Sequence, residues 1–429
     1  MANILVHSNS YEALSGYSRI FFEVAKHLAK KHTVFYLGMQ DVCHPPFKQD
    51  NIIRLPVRDK VPGCEDALPH YQRAFKIDLY LSAFDIWLPE LAEWIRVVKS
   101  LPWAWLHHIT INSDPPHPVL LERAKLADLV VAPSKYNLNS CLQFNLINTV
   151  YIPHFVNTEI FKPAKPKEKF EVRERLKIDS DEFVFISVMR NKKLNKDFEN
   201  LFKGFRLFLE KNPNAKAKLV LLTCPTEFQG QNIYAMRQAW KLEKHVRFVW
   251  AKYDVENDVW TYTYEGDPDG FEHHPNIGFP PELVAEIYKC ADVNLLISHG
   301  ESFGLPAIEG YACKLPLIMA EHTTGPELVR EPNGGLLVRA MPILYPQVMV
   351  SQYNTDPHDL AEKMTLLYKN ENYRKELGEN GYKFIKENYA KEKILPLWDK
   401  AVKLLLNPDV NFEVVEEMDG VVLKWQSAM

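Results

Sequence analysis

Residues 291–337, ADVNLLISHGESFGLPAIEGYACKLPLIMAEHTTGPELVREPNGGLL, include the carboxylates Glu301 and Glu309 with seven residues between them. The apolar run 293–298 reads as a buried parallel strand, His299-Gly300-Glu301-Ser302-Phe303-Gly304-Leu305 as a loop, and Pro306 as the first residue of a helix. Glu301 then lies in the loop at the strand's carboxyl end and Glu309 on the helix's first turn, where open α/β sheets bind ligands. The unbonded amides and the dipole at such a helix start favour a phosphate or another anion, and Gly304 lets the backbone come close to it. Two carboxylates beside an anion site would repel the anion, so they read better as acceptors for sugar hydroxyls. A nucleotide sugar offers both kinds of group. Taken singly, each glutamate has a plainer reading, one as a solvated loop residue and the other as an acid suited to a helix start. The residues around them shift the balance.

Two further clusters sit where a strand ends. Strand 183–189 runs into Arg190-Asn191-Lys192-Lys193-Leu194-Asn195-Lys196-Asp197, which puts four cations within seven residues. If they converge they form a strong anion site; otherwise they are a solvated basic loop. Strand 103–106 ends in His107-His108, also well placed for a site, with no third ligand in sequence reach that would make the pair a metal centre. At the N-terminus, strand 3–7, polar loop 8–16, helix 17–31 and strand 34–37 make a β-loop-α-β unit. That loop has no G-x-G-x-x-G, so a dehydrogenase reading loses support, and Gly16 by itself is explained by turn geometry.

These clusters need elements to carry them. At 429 residues the chain is two domains rather than one. PAKPKEK, residues 163–169, reads as the linker, because it has two prolines, three lysines and almost no apolar surface. Beyond it the alternation restarts with strand 183–189, helix 198–209, and strands 219–223 and 246–250, a second doubly wound sheet. Residues 251–279 are a long irregular insertion in which Asp267-Pro268-Asp269-Gly270 lacks EF-hand spacing and reads as a surface turn. Residues 339–352 show no clear period; 359–368 and 372–388 read as amphipathic helices. A last helix, 391–406, becomes regular near Pro396, and the tail 407–429 adds a short extra element. Trp87, Trp94, Trp103 and Trp105 read as core packing rather than a membrane-facing helix, since only Arg96 and Lys99 supply positive charge nearby.

Glu301 and Glu309 enclosing SFGLPAI resemble the Glu-x7-Glu signature of the retaining family 4 glycosyltransferases. Thr324-Gly325-Pro326-Glu327 and Asn333-Gly334-Gly335-Leu336-Leu337 resemble the family's next two blocks, and residues 154–163 the block that closes its first domain. Phe155 stands where the family usually has Gly and Asn157 where it often has Asp, departures that touch a turn. The resemblance implies an α/β GT-B fold, two Rossmann-like doubly wound domains facing across a cleft. Residues 1–165 would form the acceptor side, with helix 391–406 packing back on it, and 166–390 would bind the donor. The implied reaction moves a hexose from a nucleoside diphosphate sugar to an acceptor with retention at the anomeric carbon and without metal or cofactor. Arg190 and Lys196 would hold the diphosphate, with Lys192 or Lys193 able to take the place of Lys196. Ser15-Gly16 matches the glycine-containing loop that faces the donor phosphate. Glu301 would bind the transferred sugar and Glu309 the ribose hydroxyls, while Ser302 and the amides of Phe303, Gly304 and Leu305 would meet its hydroxyls or phosphate. A histidine near the doublet contacts the donor sugar in the family, and His108 is chosen over His107. No nucleophile is evident; the family implies a front-face displacement in which the leaving phosphate deprotonates the acceptor. The alternatives are a non-catalytic nucleotide-sugar-binding or scaffold protein, or another GT-B enzyme such as a sugar epimerase. The acceptor, whether a sugar, a lipid-linked group or a protein, is set by variable loops of the first domain.

Bulk properties narrow the class further. An apolar share of 46% and a charged share of 25% are ordinary for a soluble globular chain, and a formal charge of −4 gives no reason to expect nucleic acid. The six cysteines have no C-x-x-C or metal spacing and read as thiols of a reducing compartment. No apolar run reaches the ~18 residues of a membrane span, and that at the N-terminus is too short for a signal peptide. The cytoplasm is the expected location, with peripheral contact at a membrane as the variant.

Overall fold

Short runs of β-branched and other apolar residues at Asn3–Ser8 and Phe183–Val188 each seed a parallel sheet. The computed structural model describes residues 1–42, 45–57, 63–192, 195–227, 230–254, 257, 259–266, 278–345, 350–407, 412–417 and 420–425. Two units result: one of Met1–Ile111, Pro115–His154 and Glu392–Met429, the other of Asn112–Asp114 and Phe155–Lys391. The insertion's Asp267-Pro268-Asp269-Gly270, and Lys193 of the basic loop, lie outside the described residues.

The first unit's strands are β1 (Asn3–Ser8), β2 (Thr33–Val42), β3 (Phe47–Gln49), β4 (Ile52–Val57), β5 (Leu79–Ala83), β6 (Ala104–His108), β7 (Leu129–Ala132) and β8 (Thr149–Tyr151). Their order is β3-β4-β2-β1-β5-β6-β7-β8, parallel throughout except for the antiparallel edge strand β3. The second unit repeats the plan with β9 (Phe183–Val188), β10 (Ala217–Leu222), β11 (Val246–Asp254), β12 (Val259–Tyr264), β13 (Val293–Leu296), β14 (Leu317–Ala320) and β15 (Gly335–Val338). Its order is β12-β11-β10-β9-β13-β14-β15, with β12 the antiparallel edge. In both sheets the chain winds outward from the first strand in one direction and then in the other. The winding reverses beside β1 and beside β9, and loops that leave the carboxyl ends there diverge and leave a crevice. This is the doubly wound α/β architecture expected from the sequence.

The helices include α1 (Gly16–Leu28), α2 (Phe198–Lys211), α3 (Leu305–Ala312), α4 (Pro357–Lys369) and α5 (Lys391–Leu406). α1 buries Ile20, Phe21, Val24 and Leu28, the stripe legible in its spacing, and the Ser15 hydroxyl caps it by accepting from the Ser18 amide. α2 buries Phe198, Leu201, Phe202, Phe205 and Phe208 and is capped by Asp197. The Trp-rich stretch is core: Trp94 and Trp105 are buried and meet edge to face at 5.5 Å. Among the described residues no helix is long and apolar enough to cross a membrane. The five described cysteines are buried, and none is in a disulfide.

The chain differs from the sequence reading in several places. Residues 163–169 are not all linker: Pro166–Arg175 is a helix, started by Pro166 and by the Glu168 carboxylate, which accepts from the Lys165 amide at 2.8 Å. α5 begins at Lys391 and runs through Pro396 without a break. Residues 339–352, which showed no period, lie largely in the antiparallel pair β16 (Ala340–Tyr345) and β17 (Val350–Thr355). The tail forms a second hairpin, Phe412–Glu417 with Gly420–Trp425.

Under the first sheet lies a row of buried polar rings. Register places His7 beside Ser82 and Ser82 beside His107 across β1, β5 and β6. The Ser82 hydroxyl and His107 Nδ1 are 2.9 Å apart, and the Tyr80 hydroxyl lies 2.6 Å from His7 Nδ1. Burial lowers His7, His107 and His154 from the ordinary 6.5 to about 3, so the folded unit keeps all three neutral. Between those values the unfolded chain binds protons that the folded chain does not, so stability falls as pH drops below 6.5. Each ring contributes about 1.4 kcal/mol per pH unit. Denaturant titration of the full chain from pH 7 down to pH 5 is expected to show a loss of several kcal/mol, to which these three rings contribute roughly 4–6 kcal/mol, with a shallower slope in His107→Gln. A stability unchanged over that range would contradict neutral burial of these rings.

Candidate active site

The second unit builds its site on the two strands beside the winding reversal. β9 and β13 run parallel, with Val293 beside Phe185 and Asn294 beside Ile186, so the loops that leave them start side by side. The loop after β9 then folds back along the exit of β13. Lys196 bridges Ser298, the Asp197 amide donates to the Ile297 carbonyl at 3.3 Å, and the His299 amide donates to the Asn195 carbonyl at 3.0 Å. This pairing puts the Lys196 ammonium in contact with the Glu301 carboxylate, with the two side chains 15% and 12% exposed. A cation and an acid 105 positions apart in the chain thus share one spot at the carboxyl edge of the sheet.

Glu301 is held from behind. Its amide donates to the Thr323 hydroxyl at 3.2 Å, and His322 Nε2 donates to the Ser298 carbonyl at 2.7 Å. Burial lowers His322 to about 4, so the ring stays neutral and Nδ1 can accept from the Thr323 hydroxyl, 3.1 Å away. Gly304 then turns the chain into α3 with φ 99°, a left-handed conformation that favours glycine. A Cβ there would come within 3.1 Å of Leu296 Cδ2 and 3.3 Å of Leu328 Cδ1. The ring of Phe303 is buried and meets Tyr389 edge to face at 5.6 Å, while Ser302 and Leu305 are partly exposed.

α3 starts at Leu305, one residue before the expected Pro306, and this moves Glu309 past the first turn. Glu309 is 3% exposed, so little of it is open to a ligand.

Arg190 stands at the exit of β9 and donates from Nε to the Glu227 carboxylate at 2.5 Å. Glu227 lies on the loop after β10, the strand on the other side of β9. That loop is tied to the Lys196 segment: Asn191 Nδ2 donates to the carbonyls of Cys224 and Gln231, and Gln231 Nε2 donates to the Lys196 carbonyl at 2.7 Å. One connected set of contacts therefore runs from Arg190 through Glu227, Asn191 and Gln231 to Lys196 and Glu301. Sequence reading missed Glu227, Asn191, Gln231 and Thr323. Asn191 lies in the basic loop after β9, while Glu227 and Gln231 follow β10, whose adjacency to β9 no local pattern reveals.

The first unit's residues are placed differently. Gly16 is the first residue of α1 and does not have a left-handed backbone; Leu14, two residues earlier, does, with φ 47°. His107 and His108 are both fully buried. His108 stacks on His154 at 4.9 Å and meets Phe21 edge to face at 4.9 Å; among the described residues neither of its ring nitrogens has a hydrogen-bond partner. Neither histidine presents an atom at the surface for a sugar to touch, because side chains this close to the strand end still point into the layers on either side of the sheet. At the same edge the Tyr17 hydroxyl lies 3.0 Å from the Asp85 carboxylate and 2.7 Å from the Thr110 hydroxyl. Among the described residues no three His, Cys, Asp or Glu side chains are grouped to hold a metal ion.

Residues 272–384 match the family model "Glycosyl transferases group 1". An uncharacterized glycosyltransferase of Methanocaldococcus jannaschii is 34% identical over 106 residues, 25% of this chain and 26% of that one. The D-inositol 3-phosphate glycosyltransferase of Thermobifida fusca is 26% identical over 216 residues, 50% of this chain and 41% of that one. The matches thus span less than half the length of either relative. Among solved structures, sucrose-phosphate synthase from Thermosynechococcus elongatus superposes with a TM-score of 0.72 at 18% identity, covering 94% of this chain and 99% of that one. Anabaena HepE, in complex with UDP and glucose, superposes with a TM-score of 0.68 at 14% identity, covering 94% and 100%. The chain therefore has the two-unit α/β fold of the GT-B glycosyltransferases, and its match to the group 1 model covers the segment that holds Glu301, Gly304, Glu309 and Glu327.

Proposed function

We propose that the chain is a retaining glycosyltransferase that moves a hexose from a nucleoside diphosphate sugar to an acceptor hydroxyl. The observation that carries this reading is the meeting of Lys196 and Glu301 beside the start of α3, within one connected set of contacts that also holds Arg190. Breaking a glycosyl–phosphate bond leaves a diphosphate with growing negative charge, and fixed cations plus a helix start are what lower that barrier. Arg190 and Lys196 supply the cations, and the amides of Phe303, Gly304 and Leu305 the helix end, so the charge is met without a metal. Glu301, once Lys196 turns to phosphate, is left to accept from the sugar hydroxyls. Glu309, 3% exposed, is assigned the ribose hydroxyls as the family resemblance implies. The acceptor proton passes to the leaving phosphate in a front-face displacement, which requires no enzymic nucleophile. His108 has no part in this reading, since its buried ring cannot reach a substrate. UDP-glucose is the first donor to try, because HepE is a structural neighbour bound to UDP-glucose.

Thermal denaturation with UDP, GDP, ADP and their glucose or mannose conjugates tests donor binding. A ligand at about 100 times its Kd adds roughly 2.7 kcal/mol to the folded state, so one nucleotide should raise Tm by several degrees. A panel in which none does would sink the reading. With the donor known, Arg190→Ala is expected to cut kcat/KM at least about 100-fold while Tm stays within a few degrees of the parent. Wild-type turnover in that variant would remove Arg190 from the site.

A further inference from the structure

Arg190 and Glu227 are unequally buried. The guanidinium side chain is 47% exposed, while the carboxylate side chain it bonds is 4% exposed. Glu227 is fixed from its own backbone: its carbonyl accepts from the Gly230 amide at 2.8 Å, and the flanking Cys224 and Gln231 carbonyls both accept from Asn191 Nδ2. Asn191 follows Arg190 directly and is fully buried. A nearly buried carboxylate next to a half-exposed arginine adds little to stability, since exposed pairs are worth little and buried acids cost desolvation. It does restrict where a long, flexible cation can point. The bond engages Nε, on the stem side of the guanidinium; the Nη1–Nη2 fork is the part whose shape fits two phosphate oxygens.

Building on the donor-binding reading, we propose that Glu227 is a positioning residue that aims Arg190 at the diphosphate of the donor. It restrains the guanidinium before the ligand arrives, so less side-chain freedom is lost on binding. Burial pushes the Glu227 carboxyl up, while Arg190, Lys192 and the Asn191 backbone pull it back down. Among the described residues these are the groups of the two loops that act on it. The role requires an acceptor at Oε1 rather than a negative charge. Glutamine keeps such an acceptor and removes a charge that repels phosphate; alanine keeps neither.

Isothermal titration of UDP into the full-length wild type, Glu227→Ala and Glu227→Gln separates these effects, with Tm recorded for each. Glu227→Ala is expected to bind UDP about tenfold more weakly, and Glu227→Gln to recover most of that loss. An alanine variant that binds as tightly as the wild type, or more tightly, overturns the inference, because Glu227 would then compete with the ligand rather than aim its partner. A glutamine variant as weak as alanine also overturns it. Should Glu227→Ala not fold, Glu227→Leu carries the test: it fills much of the same space, leaves Arg190 intact and offers no acceptor. Tenfold weaker binding supports aiming, and wild-type binding overturns it. A wild type that binds no UDP, GDP or ADP overturns the donor reading and this inference together, whereas binding unchanged by alanine removes this inference alone.

Discussion

The contact between Lys196 and Glu301 is the constraint on which the site depends. Each of the two loops is an irregular stretch leaving a strand end. Backbone pairing of Lys196 with Ser298, and of Asn195 with His299, joins them into one surface. An ammonium and a carboxylate that are both mostly buried are then forced together, and removing either would strand the other's charge. Nearby Asp197 extends the same logic inward: it caps α2, and its other oxygen accepts from the Thr355 amide at 2.9 Å, tying β17 to the site loop. The position of a reactive cation is thus set by backbone hydrogen bonds that have no chemical role.

Much of the scaffold was legible in the sequence because parallel strands buried on both faces are nearly continuous apolar runs. Val293–Leu296 and Phe183–Val188 stand out this way, and the stripe on α1 is equally plain. The antiparallel edge strands β3 and β12 were not legible. β3 is short, and β12 lies in a stretch rich in Asp, Gly and Pro whose composition suggests only loop. Pro396 misled for a different reason: a proline usually marks a helix start, but α5 begins five residues earlier. The β16–β17 hairpin has alternate exposure too weak in sequence to separate from coil.

The site was legible only in part. Glu301, Gly304 and the basic loop could be found because they sit after obvious strands. Glu309 was read onto the helix's first turn, but α3 starts one residue before Pro306 and packing buries the residue, which spacing alone does not reveal. The histidine doublet shows the limit of reading a strand end. Position along the strand was visible, but the enclosure of His108 by Phe21 and His154 comes from α1 and from a segment 46 residues later. Glu227 was invisible since its partner is chosen by sheet order, and the adjacency of β9 to β10 is not encoded in any local pattern.

The membership of α5 in the first unit has a consequence for how the chain is made. Trp398 lies edge to face on Phe21 at 5.6 Å, and Asp399 accepts from His27 and Lys31. All the residues of the second unit leave the ribosome before these partners do. The first sheet to be synthesised therefore waits, with part of α1 uncovered, until the second has everything it needs, so the order of completion is the reverse of the order of translation.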